Sequence, residues 1–286
     1  MSCCPVCKST NTELFVKLSS DYQKEKLLEY DLKYYEGKLK TIFSETQYKI
    51  NHCNNCNHLY YSEPPELNQL SEMYLAHAVN LKKKHKNIQG NDFDILKSLI
   101  KKYIHIWGKD NPKILDYGSG AGIWSQAAYD IGEDVTAFEP HNERVEHTGY
   151  KMINDLNDLK KQKFDIIFLN QVLEHTLDPI FELRIIRDLT KDGSILISSV
   201  PNAGAISKKY FIKTWPYHNT SHVMAPFQHL HGFSQNSFLK AHKIAGFNYK
   251  YFDNANSFRN FLKYSLVEVG KYFHKSISTS FIFRLD

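Results

Sequence analysis

Between residues 113 and 252, short and almost wholly apolar runs alternate with amphipathic stretches. The runs cover 113–117, 135–139, 164–170, 194–200 and 247–252. Runs of this length with no polar face read as strands buried on both sides. Their alternation with helical segments predicts an α/β domain built on a mostly parallel sheet. Upstream, Phe93, Leu96, Leu99, Ile100 and Tyr103 recur at helical spacing and predict a helix over 92–107. A shorter helix is expected over 65–75, and Gly108 and Pro112 punctuate the chain before the first buried run. Asp178-Pro179 opens another helix, with proline near its first turn, and Lys191-Asp192-Gly193-Ser194 closes it. The tail from 255 to 286 reads as an extension, helical to about residue 273 and extended after it.

The 286 residues are enough for one α/β domain of about 180–200 residues and a smaller attachment. With 42% hydrophobic residues a full core can be buried. Thirty-six Lys and Arg against 31 Asp and Glu leave a net charge of only +5, without a dense basic stripe, so nucleic acid is not the expected partner. The densest basic run, Lys82-Lys83-Lys84-His85-Lys86, reads as a solvated loop or as a phosphate-attracting rim. No apolar stretch reaches the roughly 18 residues of a membrane span. The first residues, Met1-Ser2-Cys3-Cys4, show no signal-peptide pattern. A cytoplasmic location with reduced thiols is therefore expected.

All five cysteines fall within the first 56 residues. Cys4 and Cys7 form one Cys-x-x-Cys knuckle, Cys53 and Cys56 a second. Two such pairs suit a tetrahedral zinc ion, and four protein ligands make that site structural rather than catalytic. Cys3 is the odd thiol. His52 and His58 flank the second knuckle as surface histidines or substitute ligands. The segment between the knuckles reads as a β-ribbon, with one strand over 41–51.

The chemistry concentrates at Ile114-Leu115-Asp116-Tyr117-Gly118-Ser119-Gly120-Ala121-Gly122, where a buried strand runs into three glycines and then a helix. Glycines permit a sharp turn and let backbone approach a ligand closely, and ligands bind at the carboxyl ends of such strands. One strand later Glu139 stands at the tip, where a carboxylate can accept both hydroxyls of a ribose. The pattern is Asp-x-Gly-x-Gly-x-Gly, not the Gly-x-Gly-x-x-Gly of nicotinamide-binding domains.

Taken together, "LDYGSGAG", "AFEP", "FDIIFLNQVLEH", "DGSILISSVPN" and "HLHGFS…AGF" resemble the class I methyltransferases that use S-adenosylmethionine (SAM), in the branch of ubiquinone and sugar methyltransferases. The resemblance covers residues 113–252. It implies a Rossmann-like, seven-stranded sheet with the last strand antiparallel. It also implies SAM contacts from Asp116, Gly118, Gly120, Glu139 and Asn170, with Asn154 and Asp155 at the adenine side. Asp155 reads equally as a surface cap. The Asn/Asp-Pro-Pro-Tyr/Phe signature of amino-methylating enzymes is replaced by Asn170-Gln171-Val172-Leu173. A similar zinc-binding module precedes the methyltransferase domain of some deoxysugar C-methyltransferases, whose further C-terminal domain this sequence lacks. The implied organisation is a small zinc-ribbon-like module over 1–62, a helical linker or lid over 63–111, a methyltransferase domain over 112–254 with an acceptor-site insertion at 201–232, and the extension over 255–286.

Because the methyl donor is already activated, the protein mainly aligns the acceptor, and a hydroxyl acceptor needs a base. His229, His222 and His175 are the candidate bases, with Tyr217 beside them; the alternative for His229 and His175 is holding loops by hydrogen bonds. Lys208, Lys209, Lys213, Tyr210 and Trp215 suit a small acceptor that is nucleotide-linked or phosphate-bearing, such as a nucleotide-activated sugar or a phosphoramidate or capsular polysaccharide precursor. An RNA methyltransferase docking through its zinc module and a non-catalytic SAM-binding scaffold are the competing readings.

Overall fold

The computed structural model describes residues 3–18, 21–85, 91–141, 149–204, 206, 208, 211–212, 221–247 and 278–285. Two sheets organise them. Strands β1 (Thr12–Leu18), β2 (Tyr48–Cys53) and β3 (His58–Tyr61) form an antiparallel sheet joined by a fourth strand, β9 (His231–Gly232), from far along the chain. The larger sheet orders its strands β10 (Ser278–Arg284), β8 (Thr190–Pro201), β7 (Phe164–Asn170), β4 (Lys113–Tyr117), β5 (Asp134–Phe138) and β6 (Lys151–Ile153).

Strands β4 to β8 of that sheet run parallel, and β10 pairs antiparallel with β8 at the edge. Ile114, Leu115, Ile166, Ile167, Phe168, Leu196 and Ile197 are buried, as strands covered on both faces require. The parallel sheet, the antiparallel edge and four of the five apolar runs match the expectation. Of the fifth run only Phe247 is described, and 248–252 lie outside the described residues; six strands are described in this sheet. The extended end of the tail is β10, whereas 248–277 lie outside the described residues.

Helix α4 (Asn91–Trp107) covers one face through Leu96, Ile100, Tyr103 and Trp107, which share a helical stripe. Helix α7 (Pro179–Asp188) covers the other. The Asp178 carboxylate accepts from the Ile180 and Phe181 amides, each at 3.0 Å, and Pro179 occupies the first turn. Between them in the chain lie α5 (Ile123–Asp130) and α6 (Leu156–Leu159), and α8 (Gln235–Ile244) follows β9. A capping box between Ser234 and Ser237 starts α8.

The cysteine region differs from the expected β-ribbon. Residues 40–45 are helical, and the strand starts only at Tyr48. Leu39, Ile42 and Phe43 share one helical face and are buried against Tyr30 and Tyr35, whereas Tyr48 and Ile50 alternate as a strand does. The excursion between the knuckles thus carries two helices, α1 (Asp21–Tyr35) and α2 (Lys40–Glu45). The helix expected over 65–75 is α3 (Leu67–His85), which absorbs most of the basic run read as a loop. Alanine, leucine and lysine favour helix, and neither Gly nor Pro intervenes to stop it there.

Candidate active site

Parallel register brings the donor-side residues to one edge. Asp116 lies opposite Ala137 of β5 and Phe168 of β7, so the tips of β4, β5 and β7 are neighbours. The chain leaves β4 through Gly118, at φ +69°, where a Cβ would stand 2.7 Å from Val172 Cγ2. Only glycine fits that combination of positive φ and close approach. The Gly118 and Ser119 amides both donate to the Phe138 carbonyl, at 2.9 and 3.0 Å, which ties the glycine loop to the end of β5.

Glu139 follows directly and is buried. Its Oε2 accepts from the Gly120 amide at 2.9 Å and its Oε1 from the His141 amide at 3.1 Å. A carboxylate fixed in this way at a strand tip suits paired ribose hydroxyls. Asp116 is also buried, but its Oδ2 is committed to Ser125, accepting from the amide at 3.1 Å and the hydroxyl at 2.6 Å. This anchors the first turn of α5 to β4. Burial pushes the Asp116 carboxyl up to about 6, against the lowering effect of the Ser125 hydrogen bonds.

At the tip of β7, Asn170 Oδ1 accepts from the Ser199 hydroxyl, and the Gln171 amide donates to the Ser199 carbonyl at 2.9 Å. Gln171 has φ +55°, a left-handed conformation uncommon for a residue with a Cβ. Asn154 and Asp155 are exposed, and Asp155 caps α6 by accepting from the Asn157 amide at 2.8 Å. The Glu139 amide donates to the Ile153 carbonyl at 3.1 Å, so this stretch borders the same edge.

Two histidines expected from the sequence as candidate bases come together. His175 Nδ1 is 2.8 Å from the Gln228 carbonyl, and His229 Nδ1 is 3.2 Å from the Val223 carbonyl. A carbonyl only accepts, so Nδ1 of each ring carries a proton, and a neutral ring has its lone pair on Nε2. The rings meet edge to face with centroids 4.7 Å apart. His222 has its backbone in the short turn Ser221–Met224, while its side chain and Tyr217 lie outside the described residues, as do Lys209, Tyr210, Lys213 and Trp215.

Two residues join this site that sequence reasoning did not single out. Glu174 is buried, with neither carboxylate oxygen hydrogen-bonded among the described residues, and stands 4.0 Å from His175 Nε2. Glu174, His175 and His229 each offer a ligand atom within 4.8 Å of the others. Burial pushes the Glu174 carboxyl up to about 8. Tyr74 of α3 stacks on His141, with centroids 5.9 Å apart, and meets His175 edge-on at 5.7 Å. Its hydroxyl donates to the His175 carbonyl at 3.4 Å. Helix α3 thereby spans the junction of donor and acceptor sides. "VLEH" already placed Glu174 beside His175, but nothing local signals the burial of its carboxylate.

The four knuckle cysteines converge. Cys4 and Cys56 sulfurs are 3.7 Å apart, Cys7 and Cys53 sulfurs 3.5 Å, and all four lie within 4.8 Å of one another. A tetrahedron with metal–sulfur bonds of about 2.3 Å has edges of roughly 3.8 Å, so the spacing fits zinc. Asn55 Nδ2 of the side chain donates to Cys7 Sγ at 3.6 Å. Cys3 is exposed, His52 faces Glu13 and His58 faces His231. Among the described residues no helix is long and apolar enough to cross a membrane.

A glycine turn and a buried carboxylate on adjacent parallel strand tips define a nucleoside-binding α/β enzyme. Residues 89–251 match the family described as "Methyltransferase domain", more than half of the chain, and the protein belongs to that family as a class I SAM-dependent methyltransferase. It is 28% identical over 163 residues to a ubiquinone biosynthesis O-methyltransferase of Glaesserella parasuis, covering 48% of this chain and 69% of that protein. It is likewise 28% identical over 168 residues to its counterpart in Histophilus somni, covering 50% and 70%. Among solved structures, the plantazolicin methyltransferase BpumL in complex with a pentazolic desmethylPZN analog and SAH superposes with a TM-score of 0.51 at 12% identity, over 77% of this chain and 100% of that one. That likeness concerns the fold.

Glu174 makes stability depend on pH. The folded protein keeps a proton on this carboxyl from pH 4.5 up to about 8, where the unfolded chain has released it. The stabilising difference is therefore full at low pH and is lost as pH rises through that window, at up to about 1.4 kcal/mol per pH unit. Glu174→Gln should flatten this decline in urea unfolding followed from about pH 5 to pH 8; equal slopes for variant and wild type would refute the buried, protonated state.

Proposed function

We propose that the chain O-methylates a small metabolite, and that His229 removes the acceptor's hydroxyl proton. The observation that carries this reading is the pair of adjoining imidazoles, both with Nδ1–H turned to a carbonyl, which puts the lone pair of a neutral ring on Nε2. His175 is the second base candidate, and His222 and Tyr217 belong to the same acceptor loop.

On the donor side Glu139 takes the ribose hydroxyls, and Gly118 and Gly120 let backbone close on the ligand. Asn170 also contacts SAM, Asn154 and Asp155 border the adenine, and Asp116 holds the loop through Ser125. SAM, when bound, supplies a methyl group on a sulfonium, whose sulfur–carbon bond breaks as the new oxygen–carbon bond forms. The acceptor's proton goes to His229 Nε2, with Glu174 and His175 forming the adjoining wall. Tyr74 closes the junction from α3.

The acceptor class proposed is a nucleotide-activated sugar or a phosphoramidate or capsular polysaccharide precursor, handled in the cytoplasm. Lysines and aromatic residues across 208–215 support it, since lysine meets phosphate and rings stack on bases. The similarity to O-methyltransferases supports oxygen as the accepting atom. Cys4, Cys7, Cys53 and Cys56 hold a structural zinc ion.

Radiolabelled SAM supplied with nucleotide-sugar and capsule-precursor pools should yield labelled small product, and RNA should take up none. His229→Ala should slow that transfer by about 100-fold or more while leaving S-adenosylhomocysteine (SAH) affinity unchanged; wild-type transfer by this variant rules out His229 as the base.

Purified protein should carry one equivalent of zinc, and cobalt substitution should give the visible absorption of a tetrahedral thiolate site. Cys53→Ser should abolish both and lower the melting temperature. Metal-free protein that melts where the metal-loaded protein does is the contrary result.

A further inference from the structure

We infer that His58 is a positioning residue for the acceptor histidine, locking the segment that carries His229 onto the second cysteine knuckle. This rests on reading His229 as the base; the lock itself consists of contacts distinct from the donor and acceptor residues.

Residues 230–234 tie four elements together. The Leu230 amide donates to the Glu174 carbonyl at 2.6 Å, and the Leu230 carbonyl accepts from the Tyr61 amide at 3.1 Å. Leu59 pairs with Gly232 and Tyr60 with His231. The Phe233 carbonyl accepts from the Ala203 amide at 2.7 Å. The Ser234 hydroxyl donates to the carbonyl of Cys56 at 3.0 Å, a direct bond to the knuckle. His229 precedes this segment by one residue, so its place relative to Glu174 and His175 follows from where the segment is held.

The backbone pairing alone is slight. Strand β9 has two residues, His231 and Gly232. So short a ladder holds register weakly, and side chains must supply the rest. The contact that does so is buried on both sides: His58 is 0% and His231 5% exposed. His58 Nε2 lies 3.0 Å from His231 Nδ1, and His58 Nδ1 lies 3.3 Å from Ser237 Oγ at the start of α8. His58 stands two residues past Cys56, opens β3, and packs against Phe233 at 4.7 Å between ring centroids. One side chain therefore joins the knuckle, β9 and the N-terminus of α8. Gly232 leaves no slack, since a Cβ there would meet Met224 Sδ at 2.7 Å. A shift of β9 must be taken up by the loop that bears His229.

The test uses the whole 286-residue chain, metal-loaded, with SAH as the probe, and needs no acceptor. His58→Phe keeps an aromatic ring but loses both hydrogen bonds; His58→Asn restores hydrogen-bonding capacity. With His58→Phe, amide exchange at 229–232 should accelerate about tenfold or more. The nitrogen spectrum of His229 should change from the pure Nδ1–H tautomer set by the Val223 carbonyl to a mixture. Zinc content, exchange at 114–117 and SAH affinity should stay at wild-type levels, and His58→Asn should recover part of the protection.

His231→Phe removes the shared bond from its other end and leaves the Ser237 contact, so adding it to His58→Phe should accelerate exchange little further. This second route serves if His58→Phe does not fold. The inference is overturned if exchange at 229–232 and the His229 tautomer are unchanged in the variants. It is equally overturned if exchange accelerates everywhere, including 114–117, which marks His58 as a general stability residue. Failure of wild-type protein to bind SAH counts instead against the methyltransferase reading, whatever the variants do.

Discussion

Everything on the donor side depends on one constraint, the parallel register of β4 between β5 and β7. With Asp116 opposite both Ala137 and Phe168, the glycine turn, Glu139 and Asn170 have to emerge at one edge. The two bonds from the glycine loop to the Phe138 carbonyl, and the bonds of Glu139 to Gly120 and His141, then hold that edge in shape. Preorganised donors and acceptors of this kind spare the site from reorganising when a ligand arrives. Asp116 contributes from beneath: its buried carboxylate secures α5, so the helix start stays aimed at the crevice.

The cluster of Glu174, His175 and His229 depends on long-range contacts. A second sheet, begun by the cysteine knuckles, takes its last strand from residues 231–232, and the cysteines share a hydrophobic cluster with Phe233, Phe238 and Leu173. Glu174 and His175 come from the turn after β7, and His229 from a loop held by Tyr48 and Tyr61, whose hydroxyls bond the Met224 carbonyl at 2.6 Å and the Phe227 amide at 3.1 Å. The cysteine module thus bears directly on the loop that carries His229. Burying the Glu174 carboxyl with no hydrogen bond among the described residues costs stability, a cost typical of residues kept for a site rather than for the core.

The parts legible in the sequence are those whose signal is local. Leu115, Ile166 and Ile197 lie in short, mostly apolar runs, and the turn at Gly118 and Gly120 follows one of them directly. Both make the sheet and its binding edge readable. The knuckles are equally local, since Cys-x-x-Cys spacing alone defines each. What escaped depends on tertiary neighbours. Helix α1 leaves Leu32 69% exposed while burying Tyr30 and Tyr35, so its apolar stripe is blurred. His58 and His231 meet across 173 positions. Tyr74 acquires a role only because α3 crosses the site, and Asp155, resembling an adenine contact, spends its side chain on a cap.

The central claim is that the edge formed by β4 and β5 grips an adenosyl sulfonium through Glu139. Titration calorimetry of SAH into the pure protein addresses it most directly, repeated with Glu139→Ala. One binding site per chain is expected in the wild type, weakened at least about tenfold in the variant, since two hydrogen bonds to a charged group are lost. Absence of heat in the wild type, or equal affinity in the two proteins, contradicts the account.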